Sequence, residues 1–313
     1  MLKKKINLSL LIFLIFLVLI ILLGIWQPAS ISLGQWSNIL LWSGLIGIVA
    51  IGQNIVILTG GIDISVGSLT LLTTCLACQI MGGSNSYIAF AILTVLGMGI
   101  LVGFINGIFI TKAKIPPMVM TLAMSISLTG FTLLIYGGGG RGYVAPLVQS
   151  IIDSLIFNKI PAISLFWLLL IIIFIFVLKR TVFGRKIYLI GSNSNTAYLS
   201  GINVDRTVIF AYIICGVLTS IAGFLFAGYI HSANLAWDDQ FTLPSIAAVV
   251  VGGTTLKGGI GGIGGTVVGV VIIRFLINFF FVVRFPEFSK DIMLGLILIV
   301  VLTIYGTQKK SSE

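Results

Sequence analysis

The stretch YIAFAILTVLGMGILVGFINGIFI, residues 87–110, runs for twenty-four residues without a charge. A helix of that length reaches about 36 Å, enough to cross the roughly 30 Å hydrocarbon core of a bilayer. Working outward, runs of the same kind recur at 7–25, 38–58, 64–82, 118–136, 160–178, 207–230, 244–256, 263–283 and 291–306. The pattern predicts an all-α, polytopic transmembrane helical bundle of about ten spans, with short or broken helices, as one domain over residues 1–313. The 244–256 run is short for a span. Only Thr59-Gly60-Gly61-Ile62-Asp63 separates the second run from the third, so counts of eight and nine also fit.

Composition agrees with a bilayer as the solvent. Of 313 residues, 58% are hydrophobic and 8% charged, and the mean hydropathy is +1.20. A soluble chain carries about a quarter charged residues, whereas each charge at mid-membrane costs about 2.5–3.5 kcal/mol. The 37 glycines lie mostly in or beside apolar runs, where they permit close helix contact. Cys75, Cys78 and Cys215 all fall in apolar stretches and read as small packing residues; a CxxC inside a span is a weak redox signal. Lys3-Lys4-Lys5 and the run to Ile25 exceed a cleavable signal segment and read as an uncleaved first helix ending at Trp26.

With the amino terminus inside, alternation places thirteen of the eighteen basic residues on the cytoplasmic side, among them Lys112, Lys114, Lys179, Arg180, Arg185 and Lys186. Arg141, Lys159, Arg284 and Lys290 fall outside, and Arg274 lies within a helix. Both termini are then cytoplasmic. The net charge of +10 is an orientation signal; the basic residues flank separate spans and form no stripe for nucleic acid.

Three segments carry functional information. The longest polar inner stretch, residues 179–206, contains a short helix from Ser194 to Ser200, capped by Ser192 or Asn193 and ended by Gly201 in the left-handed conformation. An exposed, capped helix suits docking; a plain connecting loop is the other reading. The second segment, Thr59 to Ser68, interrupts two apolar runs. Asp63 suits the positive start of the next helix, while an acid in the membrane also makes Asp63, Ser65 and Gly67 candidates for the solute path or a gate. In the third, Gly252 to Gly265, eight of fourteen residues are glycine. It is no nucleotide loop, because Lys257 is followed by Gly258-Gly259 and not by Ser or Thr. Gly261, Gly265 and Gly269 recur every four residues and present a face for helix packing, within the chain or across a dimer.

Catalytic chemistry lacks its parts. His231 is the single histidine, two glutamates occur in all, and no metal-ligand set or nucleophile–base pair is visible. His231 reads as an interfacial residue at the outer end of a span.

Together TGGIDISVGSL (residues 59–69), GRKIYLIGSNSNTAYLSGINVDR (184–206) and IAAVVVGGTTLKGGIGGIGGTVVG (246–269) resemble the permease subunits of ribose/xylose/galactose-type ABC importers, in order and spacing over nearly the whole chain. The resemblance implies that the 179–206 loop couples to an ATPase, with Asn193, Ala197, Tyr198, Leu199 and Gly201 at the contact. It implies an ABC ATP-binding subunit, an extracytoplasmic solute-binding protein and a second permease copy or a related permease as partners in the bacterial cytoplasmic membrane. ATP and Mg would bind the partner subunit, and no cofactor this chain. Where ribose permeases usually carry acids, this chain has Phe241-Thr242-Leu243-Pro244, a pattern similar to the autoinducer-2 and deoxysugar branch. The alternative is a stand-alone ion-coupled secondary transporter or channel with Asp63 as its ion or proton site.

Overall fold

A computed structural model describes residues 32–137, 141–233, 240–286 and 288–310, together with Ile21, Gly24 and Leu235. The predicted first span, 7–25, therefore lies outside the described residues apart from two positions. Helix α1 is Leu33–Leu58, α2 Val66–Met81, α3 Ile88–Thr111 and α4 Pro117–Tyr136. Then come α5 Pro146–Ile152, a two-stranded antiparallel ribbon of β1 Leu155–Ile156 and β2 Ile160–Pro161, and α6 Ala162–Arg180. Two short helices follow, α7 Val182–Ser192 and α8 Ser194–Leu199, and the chain closes with α9 Val204–Ile230, α10 Thr242–Val251, α11 Ile263–Val282 and α12 Phe288–Lys310.

Among the described residues six helices, α1, α3, α4, α6, α9 and α11, are long and apolar enough to cross a membrane. The ten predicted crossings are not all of this kind. The 64–82 run forms the sixteen-residue α2, about 24 Å long, and the 244–256 run the ten-residue α10, about 15 Å, because glycines end both helices early. The small ribbon, α5 and α7 were not anticipated; they occupy loop stretches whose short patterns fall below the span signal.

Helix α1 is the axis of the fold, buried almost continuously from Ile39 to Leu58 against α6, α9, α10 and α11. Such all-round burial follows from a helix apolar on every face, which leaves no side for water. Helices α3, α4 and α6 instead expose large apolar residues such as Phe90, Leu134 and Ile172, as bilayer-facing helices do. The α3–α9 contact is closed by Gly99, Gly103 and Gly107, one face of α3. Side chains there would strike the backbone of Gly216, Tyr212 and Ile209.

Candidate functional site

The segment between α6 and α9 is built from local capping signals. Thr181 accepts the Gly184 N–H at 3.3 Å to start α7, and Asn193 accepts the Thr196 N–H at 3.0 Å to start α8. Gly201, at φ +78°, stops α8: its N–H reaches the Tyr198 carbonyl at 2.9 Å, and that of Ile202 reaches Ala197 at 3.1 Å. Helix α8 therefore has the start and the stop expected of it. Its three apolar residues divide: Ala197 is buried at 1% exposure, while Tyr198 and Leu199 stand 71% and 84% exposed. Ala197 fastens the helix to its own chain, and Tyr198 and Leu199 face outward.

Behind α8, helix α7 is tied to the glycine-rich loop. Tyr188 donates its hydroxyl to the Gly261 carbonyl at 3.0 Å. Burial holds this phenol above the usual tyrosine range. Gly191 lies against the Leu58 carbonyl and the backbone of Gly258 and Gly259, and the Gly259 N–H donates to that same Leu58 carbonyl at 3.0 Å. Any side chain at 191 would enter this backbone. The end of α1, the last turn of α7 and the loop thus meet at one junction.

The same loop is anchored inward by Asn54 of α1, whose amide donates to Thr254 at 2.7 Å and to Thr266 of α11 at 2.9 Å. Helices α10 and α11 cross in near backbone contact, Gly265 against the Gly252 carbonyl and Gly269 against that of Ala248. Both glycines pack within this chain. Gly261 lies in the loop, not on the helical stripe, and holds φ +132° beside Thr254.

One step from the junction, residues 59–65 break α1 from α2 inside the protein. Asp63 is 2% exposed and accepts the Ser65 N–H at 2.9 Å and hydroxyl at 2.6 Å, which ties the turn just before α2. The amide it serves belongs to the residue preceding the helix, not to the first turn. Asn106 of α3 donates to the Ser65 hydroxyl at 3.0 Å, Thr121 of α4 accepts the Ile64 N–H at 3.1 Å, and Thr242 of α10 accepts the Gly67 N–H at 3.1 Å. Gln53 brackets the Asp63 backbone: with its amide oriented so that donor meets acceptor, its nitrogen lies 3.2 Å from the carbonyl and its oxygen 3.3 Å from the N–H. Asp63, Ser65 and Gly67 are thus gathered at one enclosed polar hub. His231 caps the end of α9 and faces Asp153 at 3.1 Å, half-exposed and away from this hub.

Sequence reasoning missed Gln53, Asn54, Asn106 and Thr242 as members of the network. For the three amides the signal was present: each lies inside a run of otherwise apolar residues, where low-dielectric surroundings force it into partnership.

The model of the branched-chain amino acid transport system / permease component family matches residues 35–302, from α1 through most of α12. This chain belongs to that family. It is a transport-system permease component and a multi-pass membrane protein. It is 33% identical over 312 residues to the ribose import permease protein of Bacillus subtilis (strain 168), covering 94% of this chain and 91% of the relative. It is also 33% identical to the autoinducer 2 import system permease protein of Photorhabdus temperata, over 90% of this chain and 86% of that one. A third relative, an inner membrane ABC transporter permease protein of Escherichia coli (strain K12), is 36% identical over 80% and 78% of the two chains. No solved structure matches the chain.

Proposed function

We propose that this chain is the pore-forming permease subunit of an ATP-driven importer that carries a monosaccharide or sugar-like solute across the bacterial cytoplasmic membrane. The sugar class is supported by the relatives, which import ribose and autoinducer 2 by their names. Energy comes from a separate ATP-binding subunit, where ATP and Mg reside. A solute-binding protein delivers the solute outside, and a second copy or a related permease completes the pore. Both termini face the cytoplasm. The first run, the two shorter helices and α12, added to the six long spans, make up the ten crossings.

The observation that carries the coupling role is the exposure of Tyr198 and Leu199 on α8, which follows directly on α7 and its Tyr188–Gly261 and Gly191–Leu58 contacts. An apolar pair raised on a capped helix suits a groove in the ATPase. Motion of α8 then passes through rigid backbone contacts to the break at 59–65, where Asp63, Ser65 and Gly67 hold the gate. Copurification from native membrane tests this. The wild-type chain brings down an ATPase, and uptake into liposomes needs that ATPase with ATP. Uphill uptake by the lone chain on an ion gradient would overturn the reading.

A further inference from the structure

Arg274 is the one charged side chain in the interior of the six long apolar helices among the described residues. Its guanidinium lies over the Trp42 ring, 4.6 Å from the centroid, and its Nε finds no acceptor. Asn278, one turn further on the same face of α11, is 3% exposed, and its Nδ2 also finds no acceptor. Both residues line a cavity of about 570 Å³, shared with the amides of Asn38 and Gln240 and the rings of Trp42, Tyr229, Phe280 and Phe285. Among the described residues no acid lines it, and Lys290 at its edge donates to Gln240 at 3.2 Å.

Retaining an arginine here has a physical cost that a structural role does not explain. A charge inside a span is disfavoured, and a buried donor without an acceptor forfeits the hydrogen bonds that water would give it. The Trp42 face answers the charge only in part and leaves the in-plane donors unserved. What the described residues do not supply is an acceptor that carries negative charge, and a guanidinium fork beside an amide donor is shaped for two oxygens of one group. The volume is in the range of small-ligand pockets, and aromatic walls with side-chain amides suit a hydroxylated body attached to that group. Trp42 precedes Leu58 by sixteen residues on one helix, about 24 Å, so the cavity lies at the far end of α1 from the α7 junction.

We infer that Arg274 and Asn278 form an oxyanion site, taking the carboxylate or phosphate of an acidic sugar-sized solute on its way through the chain. That the oxyanion belongs to a transported solute rests on the import reading above; its other source is the headgroup of an anionic lipid. Binding is measured on the permease without the ATPase, so failed coupling and failed binding are separate results.

The experiment uses the full chain in phosphatidylcholine nanodiscs. Gluconate and ribose 5-phosphate raise the unfolding temperature by about 3 °C at saturation, and ribose does not. The rise disappears in Arg274→Gln and shrinks in Asn278→Ala. A rise given only by added phosphatidylglycerol, and lost in Arg274→Gln, upholds the oxyanion site and assigns it to lipid. No rise with any of these anions, or one undiminished in Arg274→Gln, overturns the site. Should that variant fail to assemble, radiolabelled gluconate on the wild-type chain decides. Displacement by ribose 5-phosphate but not ribose supports the inference, and equal displacement by both, or no binding, overturns it.

Discussion

The Tyr188 hydroxyl on α7 donates to the carbonyl of Gly261, 3.0 Å away in the loop that leads into α11, across seventy-three residues of sequence. Among the described residues it is the one side-chain hydrogen bond between the α7–α8 segment and that loop, beside the close backbone approach of Gly191 to Gly258 and Gly259. Removing the hydroxyl in Tyr188→Phe keeps the ring and deletes about 1 kcal/mol of linkage. We expect ATP-driven uptake to fall roughly fivefold, with ATPase association unchanged in copurification.

Leu199, 84% exposed, can be changed without touching the core. Leu199→Asp should leave the unfolding temperature within about 2 °C of the wild type and abolish copurification of the ATPase, since a charge cannot enter an apolar groove unpaired. Ala197→Leu should do the reverse at first hand: the added side chain meets a closed site, and overpacking costs about 1–3 kcal/mol, read as a lower unfolding temperature.

Gly265 and Gly264 are adjacent but differ in surroundings. A Cβ at 265 would enter the Gly252 carbonyl, while one at 264 meets nothing within 4 Å. Gly265→Ala should reduce the folded yield and the unfolding temperature, by about 1–3 kcal/mol of stability. Gly264→Ala should match or slightly exceed the wild type, because it restrains the unfolded chain at no steric cost.

Asp63→Asn retains an oxygen able to accept from Ser65, and Asp63→Ala does not. If Asp63 serves to hold the 59–65 turn, Asp63→Asn keeps uptake within about twofold and Asp63→Ala loses most of it, along with about 1–3 kcal/mol from the orphaned donors. Transport assays in the two variants check this. Loss of uptake in Asp63→Asn with the fold intact would point instead to a charge-dependent step.

Asn54→Ala strips both hydroxyl contacts, to Thr254 and Thr266, from one buried side chain. Interhelical hydrogen bonds in membrane proteins are worth about 0.6 kcal/mol on average, so a loss of about 1–2 kcal/mol is expected. Thermal unfolding in detergent measures it, and the double change with Thr266→Val should be less than additive.

Much of the architecture was legible because its causes are local. Continuous apolar runs at 38–58, 87–110 and 263–283 can be nothing but buried or bilayer-facing helices, and α1, α3 and α11 occupy them. Asn193 and Gly201 bracket α8 through bonds spanning three residues, so their spacing was enough. The stripe of Gly99, Gly103 and Gly107 was equally visible and went unread, because spacing alone does not say which glycine face meets a neighbour.

What the sequence by itself determined is where helices lie, how the inner segment is capped and that the solvent is a bilayer, all consequences of short-range spacing and hydrophobicity. Only the tertiary structure decided that Ala197 turns inward, that Asp63 is enclosed among α3, α4 and α10, and that Arg274 meets Trp42 at the rim of a cavity. The reason is separation. Asn106 reaches Ser65 across 41 residues and Asn54 reaches Thr266 across 212, and such contacts arise from how helices pack rather than from any local pattern.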